Sequence, residues 1–155
     1  MAVMNPYNYS KPRNFMILEK QESSKQETIE VKRNTVSDKM DQYLESKILA
    51  AKPEELTFML YEGLVKFIKK GLLSLESTDF QAVNYNIQRA QAIVGELRST
   101  LNMDIPISSS LDALYEYLEF KLVNANMNKN EQEFNEALEI AENFRDTWKE
   151  AFSIK

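Results

Sequence analysis

The sequence predicts an all-α fold, an antiparallel up-down four-helix bundle preceded by a short additional helix and a long, flexible N-terminal tail. Beyond residue 60 the chain is rich in Glu, Lys, Leu, Ala and Asn, and long straight side chains lose little freedom in a helix. The chain has only three glycines and four prolines. Long helical stripes joined by short connections require neighbouring helices to alternate in direction.

Residues 1–42 are predicted to form the flexible tail, and residues 43–155 the bundle domain. The middle of the tail, EKQESSKQETIEVKRN, is polar and has no helical stripe, so it cannot bury enough apolar surface to offset its ordering entropy. Two less polar islands interrupt it, NPYNY (Asn5–Tyr9) and NFMIL (Asn14–Leu18). They are either unstructured or short elements that dock in a groove of this protein or of another.

Two helices are predicted at the start of the domain. YLESKILAA (Tyr43–Ala51) is short, and because helix nucleation is costly it must lean on the main body, which it could also leave. The next helix begins at Pro53, where the missing N–H of proline is no loss, and runs to about Glu76.

The third helix contains the clearest pattern in the chain. Thr78 and Gln81 fit a capping box, with Thr78 as the N-cap. Apolar residues then recur at alternating spacings of three and four, typical of a bundle core: Phe80, Val83, Ile87, Ala90, Val94, Leu97 and Leu101.

Two further helices complete the predicted bundle. Pro106 interrupts the helical pattern and Ser108–Ser110 offer N-caps for the fourth helix, whose inward face runs from Leu111 to Ala125. Asn130 with Glu133 resembles another capping box. The last helix has its apolar stripe at Phe134, Ala137, Leu138, Ala141, Phe144, Trp148 and Ala151.

The second helix carries more apolar residues than one buried face needs. At about 100° per residue, Leu56, Leu60, Gly63, Phe67 and Gly71 share one face, and the two glycines would let a neighbouring helix approach closely. A second stripe lies nearly opposite, at Phe58, Tyr61, Val65, Ile68 and Leu72. Either the first helix and the tail cover this stripe, or a partner does.

Composition excludes several function classes. The chain has no histidine and no cysteine, which removes the commonest general base, the commonest metal ligand and all thiol chemistry. Its net charge of −5 disfavours nucleic acid. We therefore predict a protein that is not an enzyme, with no cofactor, metal or small-molecule substrate. No long apolar window and no signal-type N-terminus occur, so we expect no membrane insertion and a cytoplasmic location.

Several stretches in this order resemble the flagellin export chaperone family, FliS: SKILAAKPEELTFMLYEGLVKFI, NIQRAQAIVGELRSTLNMDIPISSSLDALYEYL, NANMNKN and FRDTWKEAF. The resemblance covers about Tyr43 to Phe152. It implies a helical bundle that binds the C-terminal helical segment of flagellin, prevents premature polymerisation and delivers flagellin to a component of the flagellar export gate. Lys52, Phe120 and Lys121 depart from the family pattern, and the tail is longer than usual.

The resemblance and the second stripe together predict a flagellin groove formed by Phe58, Tyr61, Val65, Ile68, Leu72, Tyr85, Ile93, Tyr117 and Phe120. The family also implies that a segment before the bundle can occupy the groove. The groove-covering segment is predicted at Tyr43, Ile48 and Leu49, with Tyr7 and Tyr9 as competing tyrosines. The alternatives are a helical chaperone or adaptor for another secreted flagellar protein, a polymerising structural subunit and, least favoured, an enzyme.

Overall fold

The computed structural model describes residues 3–7 and 34–155, and within these residues the chain is all-helical. Its helices are α1 (Asn34–Ala50), α2 (Pro53–Glu76), α3 (Phe80–Ser99), α4 (Ser108–Asn128) and α5 (Glu131–Ala151). None of the described residues belongs to a β-strand, although Tyr7 and Leu101 form an isolated antiparallel bridge. The fold divides into two compact units, one with residues 3–7 and 57–155 and one with residues 34–56.

The smaller unit contains α1, which begins at Asn34 rather than at the predicted Tyr43. Val36 and Met40 of the added turns are exposed, so burial does not explain the extension, but once a helix is nucleated each further residue adds a hydrogen bond. Along α1, Ile48 is buried while Tyr43 and Leu49 are exposed. The NFMIL island lies outside the described residues, and the predicted division into residues 1–42 and 43–155 stays a prediction.

In the larger unit α2 is buried on two sides. Leu56, Leu60 and Phe67 are buried as expected, but so are Tyr61, Val65 and Ile68 of the second stripe. A helix that is apolar nearly all round belongs in the interior of a fold. Other parts of this chain therefore cover Tyr61, Val65 and Ile68, and the groove predicted from the second stripe stays a prediction.

The glycines of α2 face isoleucine side chains of α3. A Cβ atom placed on Gly63 would lie 3.3 Å from the Cδ1 of Ile93, and one on Gly71 would lie 2.8 Å from the Cδ1 of Ile87. The second distance is shorter than real Cβ contacts, so a side chain at Gly71 would force Ile87 to shift.

The predicted core stripe of α3 is confirmed from Val83 to Leu101, whereas Phe80 is half exposed. The cap lies one residue later than predicted, because the side chain of Asp79 accepts from the N–H of Ala82 at 3.2 Å. Thr78 instead has φ 56° and ends α2. The N–H of Asp79 donates to the carbonyl of Ser74 at 2.9 Å, so a left-handed residue terminates one helix immediately before the next begins.

The ends of α4 and α5 also differ from the prediction in part. No side chain caps α4, because the Oγ of buried Ser108 donates to the carbonyl of Asn102 instead. Asn130 is confirmed as the N-cap of α5, accepting from the N–H groups of Gln132 and Glu133. Glu133 does not return the bond, because the N–H of Asn130 already donates to the carbonyl of Ala125.

Ion pairs link α4 to both of its neighbours. Arg98 of α3 binds Asp112 through Nε at 2.8 Å and Glu119 through a terminal nitrogen at 3.0 Å. Lys121 of α4 pairs with Glu136 of α5, and this raises the pKa of Lys121 and lowers that of Glu136. These contacts hold α4 between α3 and α5.

Candidate functional site

Four aromatic side chains from three helices form a cluster in the larger unit. Tyr61 of α2 stacks on Phe144 of α5 with ring centres 5.7 Å apart and meets Trp148 of α5 edge-on at 5.8 Å. Tyr115 of α4 lies 5.0 Å from Phe144 and hydrogen-bonds to the hydroxyl of Tyr61. We call Tyr61, Tyr115, Phe144 and Trp148 the aromatic cluster; it joins α2, α4 and α5.

A short piece of the predicted tail lies on the aromatic cluster. We call Val3–Tyr7 the docked segment. Tyr7 is only 6% exposed, its ring meets Trp148 edge-on at 5.7 Å, and its hydroxyl hydrogen-bonds to that of Tyr115. The NPYNY island therefore docks on this chain's own bundle, at least through Tyr7.

The backbone of the docked segment is held by the connection between α3 and α4. The carbonyl of Pro6 accepts from the N–H of Asn102 at 2.7 Å, next to the antiparallel bridge of Tyr7 with Leu101. The other polar groups of Asn102 serve its own loop, because its carbonyl accepts from Ser108 and its side chain accepts from Asp104. Hydrogen bonds within the loop thus fix its conformation, and the Asn102 N–H is the group that binds the segment.

Burial raises the pKa of the Tyr7 hydroxyl, and the nearby hydroxyls of Tyr61 and Tyr115 raise it further. The usual tyrosine pKa is already about 10. Tyr7 is therefore neutral at physiological pH, and hydrogen bonding and apolar contact hold it in place, not charge.

An apolar cavity of about 140 Å³ lies beside the docked segment. Val3 and Met4 border it on the segment's side, and Ile107, Leu111, Ala151 and Phe152 border it on the bundle's side. Val3 and Met4 are both more than half exposed. The segment thus fills the Tyr7 end of its surface well and the Met4 end poorly.

A second apolar region lies on the outer side of α4. Its members are exposed and fall within about half of the helix circumference: Leu114, Tyr117, Phe120, Val123 and Met127. Phe120 is 60% exposed, and Lys121 places its amine 5.8 Å from the ring centre of Tyr117. Such a row of exposed apolar residues on one helix face is typical of an interaction surface.

The structure divides the predicted groove residues into three groups. Tyr61, Val65, Ile68 and Ile93 are buried; Phe58 and Leu72 are half-buried; Tyr85, Tyr117 and Phe120 are exposed. Of the buried group, Tyr61 belongs to the aromatic cluster and Ile93 faces Gly63. Tyr117 and Phe120 share the outer face of α4.

The predicted covering residues differ from the tyrosine observed on the bundle. Tyr43 is 67% exposed and Leu49 is exposed, whereas Tyr7 is buried on the aromatic cluster. Tyr7 is therefore a tyrosine that the structure places on the aromatic cluster, and the covering role of Tyr43, Ile48 and Leu49 stays a prediction. Tyr9 lies outside the described residues.

Sequence reasoning assigned Tyr115, Phe144 and Trp148 only to the core. Their stripe positions show that they point inward, but not that they form the floor beneath a docked peptide. The available signal was the NPYNY island itself, because its tyrosines interrupt a polar tail and docking was one of the two alternatives given for it.

No helix in the described part of the chain is long and apolar enough to cross a membrane. Residues 3–7 and 34–155 also contain no group of acidic side chains suited to hold a metal ion.

Fold and site together define a helical bundle whose apolar surface docks a peptide segment. A sequence model of the family described as "Flagellar protein FliS" matches residues 36–155, and the chain belongs to that family. It is 38% identical over 109 residues to the flagellar secretion chaperone FliS of Bacillus subtilis, covering 70% of this chain and 82% of the relative.

More distant relatives carry the same name. The flagellar secretion chaperone FliS of Campylobacter jejuni is 30% identical over 63% of this chain and 78% of its own length. That of Salmonella typhimurium is 27% identical over 69% of this chain and 82% of its own length.

Proposed function

We propose that this chain is a cytoplasmic export chaperone that binds the C-terminal helical segment of flagellin and delivers it to the flagellar export gate. Flagellin's terminal helices are amphipathic and would otherwise bury their apolar sides against each other. The chaperone prevents premature polymerisation by burying those sides first. Membership of the FliS family supports the export role.

The observation that carries the proposal is the docked segment. Tyr7 and Pro6 are buried on the bundle by contacts that involve no covalent constraint near the site. The bundle thus offers a surface that accepts a peptide, and any segment with better contacts can replace the one in place. In the free chain Val3–Tyr7 acts as an internal competitor for part of the flagellin surface.

We propose two kinds of contact for the predicted groove residues. Phe58, Leu72, Tyr85, Tyr117 and Phe120 contact flagellin directly, because they are exposed or half-buried. Tyr61 becomes accessible when the docked segment leaves. Val65, Ile68 and Ile93 are buried, so they do not contact flagellin but support the residues that do through packing.

We also infer that α2 to α5 alternate in direction. Gly63 faces Ile93 while Gly71 faces Ile87, so α2 and α3 follow opposite orders along their contact. Short connections after α2 and α4 favour the same arrangement for the rest. Methyl NOEs from Ile93 to Gly63 and from Ile87 to Gly71 test the first pair, and the reversed pattern would refute it.

The proposed function is tested by titrating the C-terminal segment of the same organism's flagellin against Phe120→Glu. A carboxylate forced into an apolar interface loses the Phe contact and is desolvated, so affinity should fall about tenfold or more. Isothermal titration calorimetry gives the affinity. Phe120 is exposed, so circular dichroism should show an unchanged fold.

Asn135→Glu is the matched control, because Asn135 is exposed on α5, where no predicted contact lies. It should bind like the wild type. If flagellin fails to bind the unmodified chain while another secreted flagellar protein binds, the chaperone serves a different cargo. If the Phe120 variant binds like the control, the outer face of α4 plays no part.

A further inference from the structure

We propose that the surface beneath Val3–Tyr7 reads one extended segment of the exported partner, selecting a large apolar side chain at one end and a side chain with an apolar body and a terminal hydrogen-bonding group at the other. This inference rests on the proposed function, in which a partner segment replaces the docked segment. It adds the chemistry by which the surface recognises that segment.

The backbone contact suits an extended chain. The N–H of Asn102 donates to the carbonyl of Pro6, and Tyr7 pairs with Leu101 in an antiparallel bridge. In a helix interior the carbonyls are already bonded within the helix, and only those of the last turn are free. A replacement segment that makes both contacts is therefore extended here or at the end of a helix, not within one.

One end of the site selects a hydrogen-bonding group. Tyr115 is fully buried, its hydroxyl hydrogen-bonds to that of Tyr7, and the Tyr7 ring packs edge-on against Trp148. Losing a hydrogen bond between buried groups costs more than losing one on the surface. A phenylalanine would keep the ring contact but lose the bond, so the site prefers tyrosine, or another long side chain with a terminal hydroxyl or amide.

The other end selects bulk. The cavity beside Val3 and Met4 measures about 140 Å³ and is lined almost entirely by apolar atoms. A dry cavity of about 150 Å³ can hold a benzene molecule. A partner with a phenylalanine, leucine or similar residue here gains contacts that the docked segment lacks, and this gives the partner an advantage over the chain's own segment.

The test uses the full chain with Tyr7→Ala, which weakens its own segment, and the capped probe peptide VMNPYN with its Tyr-to-Phe version. Affinities come from ¹⁵N NMR titration. We expect the tyrosine peptide to bind about tenfold more tightly, as for one buried hydrogen bond. Binding should also slow hydrogen exchange at the Asn102 amide.

A second protein variant shows whether the preference arises at Tyr115. With Tyr115→Phe added, the ratio should fall well below tenfold, although the Tyr61 hydroxyl stays beside the bound tyrosine, whereas the added control Tyr117→Phe, on the exposed side of α4, should keep the tenfold ratio. A ratio near one without Tyr115→Phe, or a ratio that persists with it, overturns the inference. If Tyr115→Phe does not fold, Tyr7→Phe in the otherwise natural chain should raise Asn102 amide exchange about tenfold, and unchanged exchange overturns the inference.

The cavity is tested by peptides with Phe in place of Val or Met at the first two positions. At least one should bind several-fold more tightly than VMNPYN, and no gain from either contradicts the bulk preference.

Adding the flagellin C-terminal segment as competitor separates the two proposals. If flagellin displaces the peptide but the tyrosine and phenylalanine peptides bind equally, the inferred selectivity is refuted, whereas the proposed chaperone function is still supported. If the surface prefers the tyrosine peptide but flagellin does not displace it, flagellin is refuted as the partner at this surface, whereas the inferred selectivity is still supported.

Discussion

Arg98 is the residue whose contacts most directly join α3 to α4. Its guanidinium binds both oxygens of Asp112, at 2.8 and 3.3 Å, and reaches Glu119 with a third bond. Two parallel bonds to one carboxylate give a geometry that a single surface ion pair lacks. Hydrogen bonding to Arg98 holds the pKa of Asp112 below its usual value.

Asp112→Asn should therefore destabilise the fold in a pH-dependent way. A carboxyl whose folded pKa is depressed adds stability above its unfolded pKa of about 3.9, and this is lost as pH falls through the folded value. Because both side chains are about a third exposed, we expect only ~0.5–1 kcal/mol at pH 7. Urea unfolding at pH 7, 5 and 3.5 should show an equal loss at the first two and a smaller loss at the third.

The control for this pair is Asp146→Asn, which removes a more exposed partner of Arg145. It should change stability little at any of the three pH values. An Asp112→Asn penalty that grows as the pH falls would contradict the role given to Arg98.

At the scale of helices, two glycines in helix interiors offer a matched comparison. Ala at Gly95 meets open space, so its higher helix propensity should stabilise the fold by ~0.5–1 kcal/mol. Ala at Gly71 gains the same propensity but collides with Ile87, which is fully buried. Overpacking of ~1–3 kcal/mol should outweigh the gain.

Thermal unfolding of the two variants checks the α2–α3 contact. The melting temperature should rise for Gly95→Ala and fall for Gly71→Ala. A rise for both would mean that Ile87 moves aside freely and that its contact with Gly71 contributes nothing.

The helices of the bundle could be predicted from sequence because their signals are local. The stripe from Val83 to Leu101 and the cap at Asn130 each depend on residues within a few turns. Thr78 and Asp79 show the limit of such signals. Both can cap a helix, and the one that does so is decided by Thr78 taking the left-handed conformation that ends α2.

The site could be predicted only in part because its contacts are not local. A helical stripe shows that Tyr61 faces something, but periodicity does not identify its neighbours. Tyr7 meets Tyr115 across 108 positions of sequence, and nothing near either residue encodes the pairing. The resemblance to the family implies an internal covering segment, but it does not identify which of Tyr7, Tyr9 and Tyr43 that segment carries.

At the scale of the whole molecule, we expect the docked segment and a partner to compete for the same surface. If binding requires an empty surface, the apparent dissociation constant is the intrinsic one divided by the fraction of molecules with the segment undocked. A segment docked nine-tenths of the time would weaken partner binding about tenfold. Moderate affinity of this kind suits a carrier that must release its cargo.

The affinity of the flagellin C-terminal segment for the full chain, compared between wild type, Tyr7→Ala and Tyr43→Ala, tests this competition most directly. Trp148, the only tryptophan, touches Tyr7 and reports docking by its fluorescence. We predict that Tyr7→Ala binds about three- to tenfold more tightly, while exposed Tyr43→Ala binds like the wild type. Equal affinity for all three, or weaker binding by Tyr7→Ala, would contradict the claim that Val3–Tyr7 occupies the partner's surface.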